Sequence, residues 1–160
     1  MQTYYLEMRS KEAFKPAVQS PDLSIVEVEL PQPQFNRFLY TFVGKTWQWT
    51  DKALWSEQQW QNHIDTNNIR TWVAYVRGAI AGYYELSKQQ NGDVELMYFG
   101  LTPTFIGKGL GGALLSHAIN SAWSIESTKR VWVHTCDLDH PSALPNYQKR
   151  GFSLYKTQTD

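Results

Sequence analysis

FIGKGLGGALL, residues 105–115, sets Gly107, Gly109, Gly111 and Gly112 within six positions and then runs into a pattern that reads as helix. Glycine costs a helix about 1 kcal/mol relative to alanine, so four of them at a helix mouth need a reason. Upstream, DVELMYFGL at 93–101 is β-rich and follows a turn at Asn91, Gly92 and Asp93. Downstream, Leu110, Leu114, Ala118 and Ala122 repeat at helical spacing, and Leu115, Ile119 and Trp123 widen the buried face. A strand passing through a glycine-rich turn into a helix is a physical solution for holding phosphate. The first N–H groups of the helix lack intrahelical acceptors, the dipole favours an anion, and bare backbone lets the anion approach.

Several frames compete for these glycines. A P-loop requires Gly-Lys-Ser/Thr, but Lys108 precedes Gly109 and Leu110 follows it, which rules that frame out. Gly107, Gly109 and Gly112 satisfy the dinucleotide pattern G-x-G-x-x-G, and Asp137 or Asp139 follows the next strand where a ribose hydroxyl would be held. Only 21 residues remain after Asp139, too few to complete a doubly wound sheet. Glycines serving only close helix-to-strand packing are a further alternative.

Outward from the loop, the chain divides into short elements without repeats or low-complexity tracts. TYYLEMRS reads as an opening strand, and PAVQSPDLSIVEVELPQPQ as a second extended piece punctuated by proline. Two short helices are expected between FNRFLYTFVG and WSEQQWQNHI, the first with Phe35, Phe38, Leu39 and Phe42 on one stripe. TWVAYVRGAIAGYYELS gives two strands around a tight turn at Arg77 and Gly78. RVWVHTC is a strand, PSALPNYQKRG a short helix stopped by Gly151, and FSLYKT a last strand. The order predicts an α/β (α+β) fold with a mixed sheet and one domain over residues 1–160.

Composition narrows the function. Fifteen basic residues balance fifteen acidic ones, so no broad field favours nucleic acid or an anionic membrane. No apolar run approaches the roughly 18 residues of a membrane helix, and the N-terminus lacks the apolar centre of a signal peptide, so a soluble protein is expected. A lone Cys136 fits a reducing compartment and points to the cytoplasm. Aromatics make up 14% of the chain, and Trp47, Trp49, Trp55 and Trp60 gather before residue 61. Such a group lines a pocket for an apolar or cationic ligand, or docks a helix through Trp55 and Trp60. His134, Cys136, Asp137, Asp139 and His140 include metal-binding types, but their spacing matches no zinc pattern, and no metal is expected.

With Ile106, Gly107, Lys108, Gly109, Leu110 and Gly111 in frame, the loop resembles the pyrophosphate loop of the GNAT (GCN5-related) N-acetyltransferases: Gln or Arg, two residues, Gly, one residue, Gly or Ala. Ile106 stands where Gln or Arg is usual, although backbone N–H groups supply most of such a grip. HPSALPNYQKRGF is similar to the family's closing block. His140 replaces its Asn and Asn146 its aliphatic residue, while Ala143, Tyr147, Gly151 and Phe152 match. The resemblance covers about residues 70–156. It implies a GNAT fold with a mostly antiparallel central sheet splayed at the cofactor, residues 71–156 as an acetyl-CoA-binding core, and residues 1–70 on the acceptor side.

For the reaction, the resemblance implies acetyl-CoA as donor, held by Phe99, Gly100 and Leu101 on the splayed strand, by Ile106, Gly107, Lys108, Gly109, Leu110, Gly111 and Gly112 at the loop, and by Asn146 and Tyr147. Acetyl transfer needs a neutral amine, a polarised carbonyl and a proton for the leaving thiolate. Leu101 is the expected carbonyl contact, and Tyr147 resembles the family's general acid. Glu95, fourteen residues before Gly109, resembles the glutamate base of the histone-acetylating branch. Strand alternation groups it with Met97, Phe99 and Leu101, where desolvation would raise its pKa. Glu85 or a water relay through tyrosines is an alternative base, and many such enzymes lack one obligatory base. The acceptor is expected to be a small-molecule amine, with a polyamine, an amino acid, an aminated metabolite and a protein amine all open. A CoA-binding sensor or a CoA-binding module without transfer activity is the alternative, and a monomer or homodimer is expected.

Overall fold

Local chemistry sets the element ends. In the computed structural model, which describes residues 1–160, the chain runs β1 (Gln2–Met8), β2 (Leu23–Glu27), α1 (Pro33–Gly44), α2 (Glu57–Thr66), β3 (Ile69–Val76), β4 (Ala79–Lys88), β5 (Asp93–Leu101), α3 (Gly111–Ser124), β6 (Arg130–Cys136), α4 (Ala143–Lys149) and β7 (Ser153–Thr159). Pro33 opens α1 where its missing N–H costs nothing, and Ser56 with Gln59 closes a capping box on α2. Arg77 and Gly78, both at positive φ, turn β3 into β4. No helix is long and apolar enough to cross a membrane.

The seven strands form one sheet in the order β2-β3-β4-β5-β6-β1-β7. All neighbours are antiparallel except β5 and β6, which pair in parallel over only Asp93–Arg130, Val94–Val131 and Glu95–Trp132. Beyond Glu95 the two strands part, leaving a V-shaped gap that opens toward the start of α3. The main core lies between the sheet and α3, where Leu114, Leu115, Ala118, Ile119 and Ala122 meet Leu6, Tyr84, Leu86, Leu96, Val131 and Val133. A smaller cluster of Leu39, Val43, Val73 and Tyr83 seats α1 on the other face.

Three features differ from the reading of the sequence. The buried stripe of α1 is Asn36, Leu39, Tyr40 and Val43, whereas Phe38 and Phe42 are exposed and pack on each other at 5.4 Å. Burial of Asn36 turns the helix, because its side-chain amide donates to Glu85 and Thr71 at 2.9 Å each. Secondly, the β4–β5 register slips between Glu85/Tyr98 and Leu86/Leu96, a bulge at Met97. The extra residue moves Phe99 and Leu101 to the α3 side with Val94 and Leu96, and leaves Glu95 on the opposite face. Glu95 and Phe99 therefore do not share a face. Lastly, β1 lies between β6 and β7, in the half of the sheet built by the later chain, although residues 1–70 were expected together on the acceptor side.

Candidate active site

The glycine loop is a cradle of free donors. From Gly107 to Ala113, no backbone N–H finds a backbone acceptor, and the first turn of α3 has neither a side-chain cap nor an acid. N–H groups left unpaired in such a row at a helix start are a site for an anion. Gly107 and Gly109 adopt φ of 80° and 77°, which a side chain resists, and a Cβ on either would meet nothing within 4 Å. Open space before both glycines removes packing as their reason. Gly112 differs, since a Cβ there would lie 3.2 Å from Ala17 Cβ.

This cradle forms one end of a cleft of about 440 Å³ that runs along Phe99, Gly100 and Leu101 of β5, where that strand has parted from β6. Thr102 N–H donates to Ala81 O at 2.8 Å, so alternation along β5 turns Phe99 and Leu101 N–H away from β4 and into the gap. Tyr147, on α4, is 5% exposed and lines the cleft, its ring 6.2 Å from Phe99 and 5.9 Å from Phe152. Burial raises its phenol pKa, with Asp139 adding to the effect, so Tyr147 stays protonated through the physiological range. Phe99, Gly100, Leu101, Ile106, Gly107, Gly109, Leu110, Gly111, Gly112 and Asn146 also line this cleft, whereas exposed Lys108 does not.

Glu95 stands apart from the cleft lining, near the fork of the V. It is 4% exposed, accepts from Gln89 Nε2 at 2.9 Å, and lies 3.4 Å from His134 Nδ1. Trp132 Nε1 donates to Gln89 at 2.9 Å and so fixes the amide that holds Glu95. Glu85, the alternative base, is fully buried: His63 Nε2 lies 2.9 Å from one of its oxygens and Asn36 donates to the other. It ties α1 and α2 to β4.

The remaining walls come from residues that the sequence marked for other reasons. Trp47 and Trp49, from the aromatic run, face Asp139 and His140, from the group weighed as metal ligands. Trp49 Nε1 donates to Asp139 Oδ1 at 3.3 Å, and Trp47 meets His140 edge-on at 5.0 Å. Asp139 also accepts from Thr135 and from Cys136 N–H, while Ser142 N–H donates to His140 Nδ1 at 2.9 Å. Asp139 and His140 Nδ1 thus serve the loop and Trp49, and no group of three His, Cys, Asp or Glu side chains converges. By contrast, Trp60 is buried under α2 with Trp55 on it at 5.1 Å, a helix-docking pair. Lys52 folds inward to the Tyr98 hydroxyl and sits over the Trp55 ring at 4.8 Å; desolvation lowers its pKa.

Residues 29–152 match the Acetyltransferase (GNAT) family. No curated protein matches the sequence. Among solved structures, the chain is similar to an IAA acetyltransferase from Bacillus cereus ATCC 14579, at 26% identity over 83% of this chain and 79% of that one, with a TM-score of 0.62. It is also similar to a spermidine N-acetyltransferase from Vibrio cholerae in complex with CoA and spermine, at 20% identity, 84% and 82% coverage and a TM-score of 0.66. A GCN5-related N-acetyltransferase from Kribbella flavida aligns at 11% identity and a TM-score of 0.70, covering 98% of this chain and 56% of its own. This chain likewise spans only 49% to 58% of the length of three further matched structures.

Proposed function

Because the chain belongs to the GNAT acetyltransferase family, we propose that it moves an acetyl group from acetyl-CoA to the primary amine of a small molecule by direct attack. The observation that carries this reading is the unpaired run of N–H groups from Gly107 to Ala113, which fits a pyrophosphate and opens onto the cleft. Acetyl-CoA supplies the activated acyl group as a thioester. Leu101 N–H, directed into the gap, polarises the acyl carbonyl. Tyr147 holds the proton that the departing thiolate needs, and burial keeps it there. Glu95, near the fork, takes the proton of the attacking amine directly or through water. A small-molecule acceptor is favoured by the aromatic walls of Trp47 and Trp49, and the Vibrio cholerae neighbour's spermidine is such an amine. With one half-buried cysteine and balanced charge, the protein suits the cytoplasm, as a monomer or homodimer.

Calorimetric titration with acetyl-CoA, with NAD as control, tests the proposal. Micromolar binding of acetyl-CoA alone, followed by amine-dependent thiol release, is the expected result. Binding of NAD alone would return the glycines to the dinucleotide pattern, and acetyl-CoA binding without thiol release from any amine would leave a CoA-binding module.

A further inference from the structure

Trp49 reaches across the mouth of the V on the α1–α2 face. At one end its ring lies against β5: a Cβ built on Gly100 would stand 3.6 Å from Trp49 Cη2 and 3.9 Å from Cζ2. At the other, Nε1 donates to Asp139, just past the end of β6. The ring is held on its remaining sides as well. A Cβ on Gly44 would come within 2.5 to 2.7 Å of Trp49 Cβ, Cε3 and Cδ2, so the side chain is rooted on bare backbone, and the Tyr98 and Tyr40 rings pack on it at 5.3 and 5.8 Å. The indole thus forms a fixed wall beside the strand positions Phe99 to Leu101.

We propose that Trp49 sets the length of the acyl chain this protein accepts, closing the acyl pocket beyond the carbonyl contact at Leu101 so that acetyl fits and longer chains do not. The proposal rests on the acetyl-transfer reading of the same cleft. Its physical basis is that a chain extended past the carbonyl on this face meets an aromatic ring clamped between Gly44, Tyr98, Tyr40 and Asp139. Such a ring cannot turn aside without giving up the hydrogen bond and the packing together. A pocket that must reject one added methylene discriminates by about 10-fold or more. Trp47 is placed differently, its ring meeting His140 edge-on at 5.0 Å.

The test compares affinities of the full chain for CoA, acetyl-CoA and butyryl-CoA by calorimetry, which needs no acceptor amine. Wild type is expected to bind butyryl-CoA at least about 10-fold more weakly than acetyl-CoA. Trp49→Ala should bring the two within about 3-fold, and Trp49→Leu, which keeps more of the packing, should fall between them. Trp49→Phe, retaining bulk while losing the bond to Asp139, should keep most of the discrimination. Equal affinities in wild type, or an unchanged ratio in folded Trp49→Ala and Trp49→Leu, overturns the proposal while leaving the acetyl-transfer reading intact. Failure of wild type to bind any of the three CoA species overturns that reading and this one with it.

Discussion

Tyr147 keeps its proton chiefly because of where it sits, with the Asp139 carboxylate adding to the effect of burial. Its ring is packed between Phe99 and Phe152, the hydroxyl makes no hydrogen bond within the protein, and burial holds the proton on. Tyr147→Phe keeps that packing and removes only the proton. Turnover should fall by about 100-fold while acetyl-CoA affinity stays within about 2-fold, read from steady-state rates beside calorimetry. Glu95 is tested by Glu95→Gln, which keeps a hydrogen-bonding partner for the Gln89 amide and removes the base. The rate should drop by about 100-fold with acetyl-CoA affinity unchanged. A rate within about 3-fold of wild type would assign proton removal to water. The types of both residues were readable in the sequence, but their surroundings were not. Nothing in the spacing of Glu95 announces the bulge at Met97 that turns it away from Phe99, because a bulge is decided by two strands at once.

At the scale of elements, the loop and α3 act as one unit. Gly109 combines positive φ with open space in front of it, so Gly109→Val strains the backbone and crowds the cradle together. Acetyl-CoA binding should weaken by at least about 100-fold in the calorimeter, with the fold retained by circular dichroism. The far side of the same helix carries His117, whose Nδ1 lies 2.7 Å from the Tyr84 hydroxyl. Burial lowers its pKa from the ordinary 6.5. As pH falls below 6.5, the unfolded chain takes up a proton that the native imidazole refuses, so stability declines in that direction and is unaffected well above it. Thermal melts between pH 7 and pH 5 should therefore fall more steeply for wild type than for His117→Gln. Helix and strand identities were legible because their periodicity is local: Leu114, Ala118 and Ala122 face the sheet as their spacing requires. The phase of α1 was not, since a buried polar residue, Asn36, overrode the stripe of Phe38 and Phe42.

Across the whole molecule, Glu85 joins what the sequence keeps apart. One carboxylate, with no exposed surface, is held by Asn36 of α1 and His63 of α2. Glu85→Ala takes one buried hydrogen-bond partner from each of Asn36 and His63 and should cost about 3 kcal/mol, a fall in Tm of roughly 10 °C by calorimetry. Sheet order was the least legible level of all. Every strand was evident by itself, yet only pairing over long sequence distances sets β1 between β6 and β7. That arrangement governs how the protein can be made. The partners of Thr3 are Cys136 and Gln158, so β1 waits through most of synthesis with both edges open, and Leu6, destined for the core without exposed surface, has nothing to cover it. On the ribosome the sheet can close only after its last strand has emerged, and until then that interval depends on whatever shields a lone β-strand from its neighbours.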